Sequence, residues 1–275
     1  MAVLSAAARK VSTGLAVRRK VDGMRDSRAG YRMRGTVVAA SLGILFFGSS
    51  QASGEIIASI YGGVALTQDD DLRLQQSGGT DLTFHGVSYR GRDFASPPYY
   101  GGRLAYFPGE RSHWGFGAEF FHAKMYLETG KTVHVIGTRA GAPVDAAERI
   151  DNTIESFNIS HGLNFLMAEA IYRWFPAERG KEFLGRFQPY IGAGIGAVIP
   201  HVETTIGGLH FEQYEWRGPG MQGFAGTNFD LLKHLSLFVE YKFTYANLDK
   251  LDIPGGSIEI MPLSHHFVGG ISISF

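Results

Sequence analysis

In the stretch Leu263-Ser-His-His-Phe-Val-Gly-Gly-Ile-Ser-Ile-Ser-Phe275, apolar Phe267, Ile271, Ile273 and Phe275 alternate with His266, Gly270, Ser272 and Ser274. Side chains that switch character at every residue point to opposite faces of a β-strand, one greasy and one small or polar. The same period recurs upstream. Leu235, Leu237, Val239, Tyr241, Phe243 and Tyr245 alternate with Ser236, Glu240, Lys242 and Thr244. Ile191, Ala193, Ile195, Ala197 and Ile199 alternate with Gly192, Gly194 and Gly196, so this glycine run is strand interior and not a phosphate-binding loop.

Further back, Leu166–Trp174 sets Leu166, Ala168, Ala170, Tyr172 and Trp174 against Glu169 and Arg173, and Trp114–Phe120 sets Trp114, Phe116 and Phe120 against Glu119. Ala58–Leu66, Tyr100–Tyr106 and Met221–Phe229 show the pattern more weakly. Eight strands are predicted. Short or moderate connections, Phe107–His113, Phe175–Phe187 and Asp230–His234, alternate with longer ones, Gln68–Tyr99, Met125–Ile159, Glu203–Gly220 and Ala246–Pro262. Alternating loop length with an aromatic final residue is the habit of outer-membrane barrels.

Charge placement decides which face is inside. Arg103, Glu119, Glu169, Arg173, Glu240 and Lys242 all lie on the face opposite the apolar one. On a lipid face each would cost several kcal/mol, whereas three carboxylates and three cations can pair inside a narrow barrel. The fold class predicted is therefore all-β: an eight-stranded antiparallel up-and-down transmembrane β-barrel in the bacterial outer membrane. A soluble β-sandwich accounts for neither the aromatic terminus nor an export signal. A porin is disfavoured, because eight strands leave no aqueous channel.

Composition agrees. The chain of 275 residues holds 37 glycines and no cysteine, which excludes disulfides, zinc-thiolate sites and thiol nucleophiles. Its 26 basic and 26 acidic residues cancel, but residues 1–34 carry nine Lys/Arg against two Asp/Glu, leaving the body acidic. That basic head precedes an apolar run from Val37 to Phe47 and a small-residue end at Ser50-Gln51-Ala52. The pattern is a secretory signal peptide, too short to span a membrane. Residues 1–52 are read as extension and signal, 53–275 as the barrel. A basic head that is removed implies no nucleic-acid partner; outer-membrane lipids are the expected surroundings, and a monomer is expected.

The outward register continues from Phe120 to His122 and Lys124, from Leu166 back to Asn164, and from Ile199 to His201 and Glu203. Those strands are neighbours, so His122, Lys124, Asn164, His201 and Glu203 form one outward polar patch. Eight residues above Trp114, at ~3.3 Å each and ~40° tilt, is roughly 20 Å, near the top of an apolar band ~25 Å tall. As snorkelling residues they need no chemistry. As a cluster they are a candidate site at headgroup height. Asp69-Asp70-Asp71 is a weaker candidate for a divalent cation.

Thr80-Asp-Leu-Thr-Phe84, Pro97-Pro-Tyr-Tyr-Gly-Gly-Arg103, Phe121-His-Ala-Lys124, His161-Gly-Leu-Asn164, Ile199-Pro-His-Val-Glu203 and Glu240-Tyr-Lys242 occur in this order. Together they resemble the outer-membrane lipid A oxidase family, within the small opacity-type barrels. The resemblance implies O2-dependent oxidation of the proximal glucosamine of lipid A to 2-aminogluconate, with hydrogen peroxide formed and a divalent metal ion required. On that footing His122 or His201 is the base, with Asn164 beside them, since imidazole suits proton removal near neutral pH. His201 and Glu203 are the candidate metal ligands. Lys124, Arg103 and Tyr100 are the candidate substrate contacts, the two cations through lipid A phosphates. The alternative is a non-enzymatic opacity-type barrel serving adhesion or envelope integrity.

Overall fold

The computed structural model describes residues 54–176 and 183–275. Residues 1–52, read from the sequence as an extension and signal peptide, lie outside the described residues. Eight long strands, β1 (Glu55–Thr67), β2 (Tyr100–Phe107), β3 (Trp114–Leu127), β4 (Ser156–Arg173), β5 (Phe187–Ile206), β6 (Arg217–Leu232), β7 (Leu235–Ala246) and β8 (Leu263–Ser274), pair each with the next, all antiparallel. β8 returns to β1, Ile57 opposite Ser274 and Thr67 opposite Ser264, so the sheet closes with no free edge. Short turns mark one end and long loops the other; in this architecture the short turns are periplasmic and the long loops extracellular.

The inside-out assignment holds. Ile60, Phe116, Val239 and Ile271 are exposed on the outer wall, while Glu119, Glu169, Glu240 and Lys242 are buried in the lumen. Trp114, Tyr172 and Trp174 pack edge to face near the periplasmic rim, the place where outer-membrane barrels carry an aromatic girdle. Lumen glycines make room for large side chains on the neighbouring strand: Gly101 stands opposite Tyr61, and a Cβ on it would fall 2.2 Å from the Tyr61 ring.

The lumen pairing differs from a three-on-three arrangement. Arg103 reaches all three central carboxylates, Glu119 at 2.9 Å, Glu169 at 2.8 Å and Glu240 at 2.7 Å, and Lys242 adds a second contact to Glu119 at 2.6 Å. Arg173 stands lower, paired with Glu55 at 2.6 Å over the Phe107 ring. The central cluster therefore opposes three carboxylates to two cations. Tyr61, Tyr190 and Gln222 supply further donors to these carboxylates.

Above this cluster the lumen turns apolar. Phe121 and Phe165 stack at 4.5 Å, and Met125, Ile159 and Val198 fill the space around them. The long connections, expected as loops, build a second sheet of six strands in the order 248–253, 256–260, 70–76, 80–87, 132–139, 142–149. Leu72, Leu74, Leu82, Phe84, Val135 and Ile258 bury one face of it in the same hydrophobic cluster as the upper lumen. The barrel is thus plugged by charge in its middle and by a hydrophobic cap at its extracellular end. β3 and β4 also run further than their alternation suggested, reaching Leu127 and beginning at Ser156.

Candidate functional site

Across β2, β3 and β4, Tyr100 stands opposite His122 and His122 opposite Asn164, one outward row over three strands. The Tyr100 and His122 rings stack at 5.0 Å and 14°. His122 Nδ1 lies 2.9 Å from Asn164 Oδ1, and Asn164 Nδ2 donates to the Gly162 and Ile199 carbonyls. Because the amide hydrogens are committed to carbonyls, Oδ1 faces the imidazole as an acceptor, and His122 must donate from Nδ1. Its other nitrogen, Nε2, is buried with no hydrogen-bond partner among the described residues. Directly below the row, Phe120 and Leu166 continue the lipid-facing wall.

One step higher the strands lose register. Four residues of β4, Ile159 to Gly162, occupy the span that β5 covers with His201 and Val202. Extra residues in one strand form a bulge, which re-aims side chains locally. Gly162 carries the necessary backbone, at φ +122°, and a Cβ there would fall 2.4 Å from both Asn164 Oδ1 and His122 Nδ1. Glycine is therefore required on two counts, conformation and space.

The bulge swings Ser160 and His161 towards β5. His161 Nδ1 lies 2.7 Å from Glu203 Oε1, and Ser160 Oγ donates to the same oxygen. His201 Nδ1 is 3.4 Å from that oxygen, too far for a good hydrogen bond. His201 itself is 8% exposed and packs on the Tyr214 ring at 4.3 Å. The ligand atoms of His161, His201 and Glu203 all lie within 4.8 Å of one another. Odd positions of β5 keep pointing outward past Pro200, so Val202 enters the core while His201 and Glu203 stay on the outer side.

Two expected substrate contacts are corrected. Arg103 is not at the surface: three residues from Tyr100, it has the opposite parity and is locked among lumen carboxylates. Lys124 has the outward parity expected of it but is not presented to the lipid. Its Nζ donates to the carbonyls of Ala95 and Ser96, at 3.2 and 3.1 Å, and holds a strap, Arg92–Tyr99, against the outer rim. Arg92 lies over the Tyr126 ring beside it, while Phe94 projects with 87% exposure. The Asp69–Asp71 run is absorbed by loop structure: Asp71 accepts from Gly86 and contacts His85, and Asp70 accepts from the Met261 amide.

Of the residues grouped by register, His122 and Asn164 meet directly and His201 and Glu203 lie just beyond them on β5, while Lys124 is drawn off to the strap; Tyr100, which that grouping did not include, stacks on His122. His161 was missing from that set because strict alternation points it inward. The signal for it is the glycine that follows, since His161-Gly162 inside a strand marks a bulge.

A closed eight-stranded barrel with an apolar outer wall, charged lumen and aromatic rim defines an outer-membrane β-barrel protein. No protein-family model matches the chain, and no curated protein matches it. Among solved structures it is similar to Neisserial surface protein A, at 12% identity over 81% of this chain and 97% of that one, with a TM-score of 0.38. It is also similar to the N-terminal β-barrel domain of Pseudomonas aeruginosa OprF (11% identity, 82% and 98% covered, TM-score 0.38). A third likeness is to AlkL, solved in lipid bilayers (15% identity, 83% and 93% covered, TM-score 0.37).

Proposed function

We propose that this outer-membrane barrel is an enzyme of the outer leaflet that oxidises the proximal glucosamine of lipid A to 2-aminogluconate. The observation that carries the reading is His122: a buried, outward imidazole, fixed as the Nδ1–H tautomer by Asn164, with an unpartnered Nε2 above a lipid-facing wall. A lipid whose acyl chains lie along Phe120 and Leu166 brings its sugar headgroup to the height of His122 and Tyr100.

The chemistry suits a free anomeric hydroxyl. His122 Nε2 takes the hydroxyl proton, the C1–H bond breaks with its hydrogen and two electrons passing to O2, and the proton held by His122 completes the hydrogen peroxide that leaves. The resulting lactone adds water to give the acid. His201 and Glu203 are the residues that would hold a divalent ion, a fit supported by the orphaned Nδ1 of His201 facing the carboxylate. The chemistry such an ion supplies when bound is activation of O2. The Tyr100 ring, stacked on His122, offers an apolar face to the sugar.

The test is expression in a host whose lipid A is unmodified and carries a free anomeric hydroxyl, followed by mass spectrometry. The expected product is heavier by one oxygen atom, appears only in air, and is lost with His122→Ala. Unaltered lipid A from cells holding folded barrel in the outer membrane would overturn the reading and favour a non-enzymatic barrel.

A further inference from the structure

We infer that His161, His201 and Glu203 form a three-ligand site for a first-row divalent transition metal on the outer wall of the barrel. The inference shares its location with the proposed oxidation, but binding of the ion does not rest on that reading.

The argument starts from one oversubscribed oxygen. Glu203 Oε1 receives Ser160 Oγ and His161 Nδ1, and His201 Nδ1 faces it at 3.4 Å without bonding it. Ser160 Oγ also contacts His161 Nδ1, at 2.9 Å. Two imidazole nitrogens and a carboxylate oxygen converge within 4.8 Å, and the most buried of them, His201 Nδ1, has no hydrogen-bond partner among the described residues. A buried imidazole nitrogen left unsatisfied is costly in a folded protein. A cation among the three atoms relieves that, taking one lone pair from each.

Donor type selects the ion. Two nitrogens and one oxygen suit iron, cobalt or zinc, whereas magnesium and calcium require oxygen-rich shells. Two imidazoles plus one carboxylate, with further positions open, is also an arrangement that leaves room for water or substrate on the metal. The His161 side chain is 59% exposed, which gives an ion a way in from the extracellular side. The surroundings support ligation: Ser160 Oγ steadies the carboxylate, and Tyr214 packs against the His201 ring. The bulge at Ile159–Gly162 acquires a purpose, since without it His161 would point into the core.

Untagged barrel in detergent micelles, stripped with chelator, is titrated with cobalt(II) alone. Visible absorption reads donor type and geometry, and equilibrium dialysis reads stoichiometry. One equivalent is expected, with nitrogen-donor bands that excess magnesium does not abolish. His161→Ala, His201→Ala and the near-isosteric Glu203→Gln should each weaken binding by about 10-fold or more. The double variant His85→Ala/His134→Ala, which removes a histidine pair of the capping sheet with rings 6.1 Å apart, should leave it unchanged. Circular dichroism verifies that each variant is folded. Absence of stoichiometric binding, binding that survives His201→Ala and Glu203→Gln, or binding lost with His85 and His134 overturns the site. Stoichiometric cobalt with unaltered lipid A would leave the site standing and overturn only the oxidation.

Discussion

His122 and Asn164 face each other across β3 and β4 at 2.9 Å, and the direction of that hydrogen bond sets which imidazole nitrogen is free. Removing the base and removing its orienter should therefore differ. His122→Ala should lower the rate of lipid A oxidation by about 10² to 10⁴, the range for a general base. Asn164→Leu keeps the imidazole but frees its tautomer, so a smaller loss is expected. Time courses of the oxidised product by mass spectrometry check the order; equal losses would refute the orienting role.

Gly162 is the hinge of the bulge. Gly162→Ala adds a Cβ 2.4 Å from His122 Nδ1 and Asn164 Oδ1, at a φ of +122°. Backbone strain of this kind costs on the order of 1–3 kcal/mol. The expected outcome is a folded barrel with modestly lower thermal stability and little remaining activity. Full activity would show that the close approach is dispensable.

The lumen cluster predicts an asymmetry between cation and carboxylate variants. Arg103→Ala strands three carboxylates that share it and should destabilise the barrel by about 3–5 kcal/mol. Glu169→Gln removes one negative charge where three carboxylates meet two cations, and should be near neutral. Urea unfolding from lipid vesicles compares the two, and similar large losses would contradict the count.

Val239, near the middle of β7, is 62% exposed on the outer wall. Val239→Arg should cost about 2–4 kcal/mol in a bilayer, the penalty for a cation near the midplane. An unaffected stability in vesicles would remove the lipid-facing assignment.

Asp93 anchors the strap. Its carboxylate accepts the Ala65 amide, its carbonyl accepts the Tyr99 amide, and burial holds its pKa above the ordinary Asp range. A carboxyl with a raised folded pKa favours the folded state when protonated. That contribution is complete below the ordinary value of about 4 and is lost as pH rises through the elevated one. Asp93→Asn keeps the acceptor without the charge, so it should be the more stable protein at neutral pH, with the difference shrinking on acidification. Melting temperatures of both proteins across that range check the sign.

The residues that were easiest to read belong to the barrel wall. Ile271, Val239 and Phe116 alternate with Ser272, Glu240 and Gly117 because each strand has one face in lipid and one in the lumen, and that division imposes period two over long segments. The capping sheet was harder. Leu72 and Leu74, or Leu82 and Phe84, give only two apolar repeats per strand, too few to stand out from a loop. The parity of Arg103 was legible and already argued against a surface role.

Sequence alone determined the class of fold, the inside-out arrangement and the outward parity of His122, Asn164 and His201, because these follow from strict alternation. Tertiary structure decided what happens where alternation fails. The bulge before Leu163 brings His161 to Glu203, the strap from Arg92 to Tyr99 claims Lys124, and Arg173 leaves the central cluster for Glu55. Each depends on contacts between segments distant along the chain, and no local periodicity encodes such contacts.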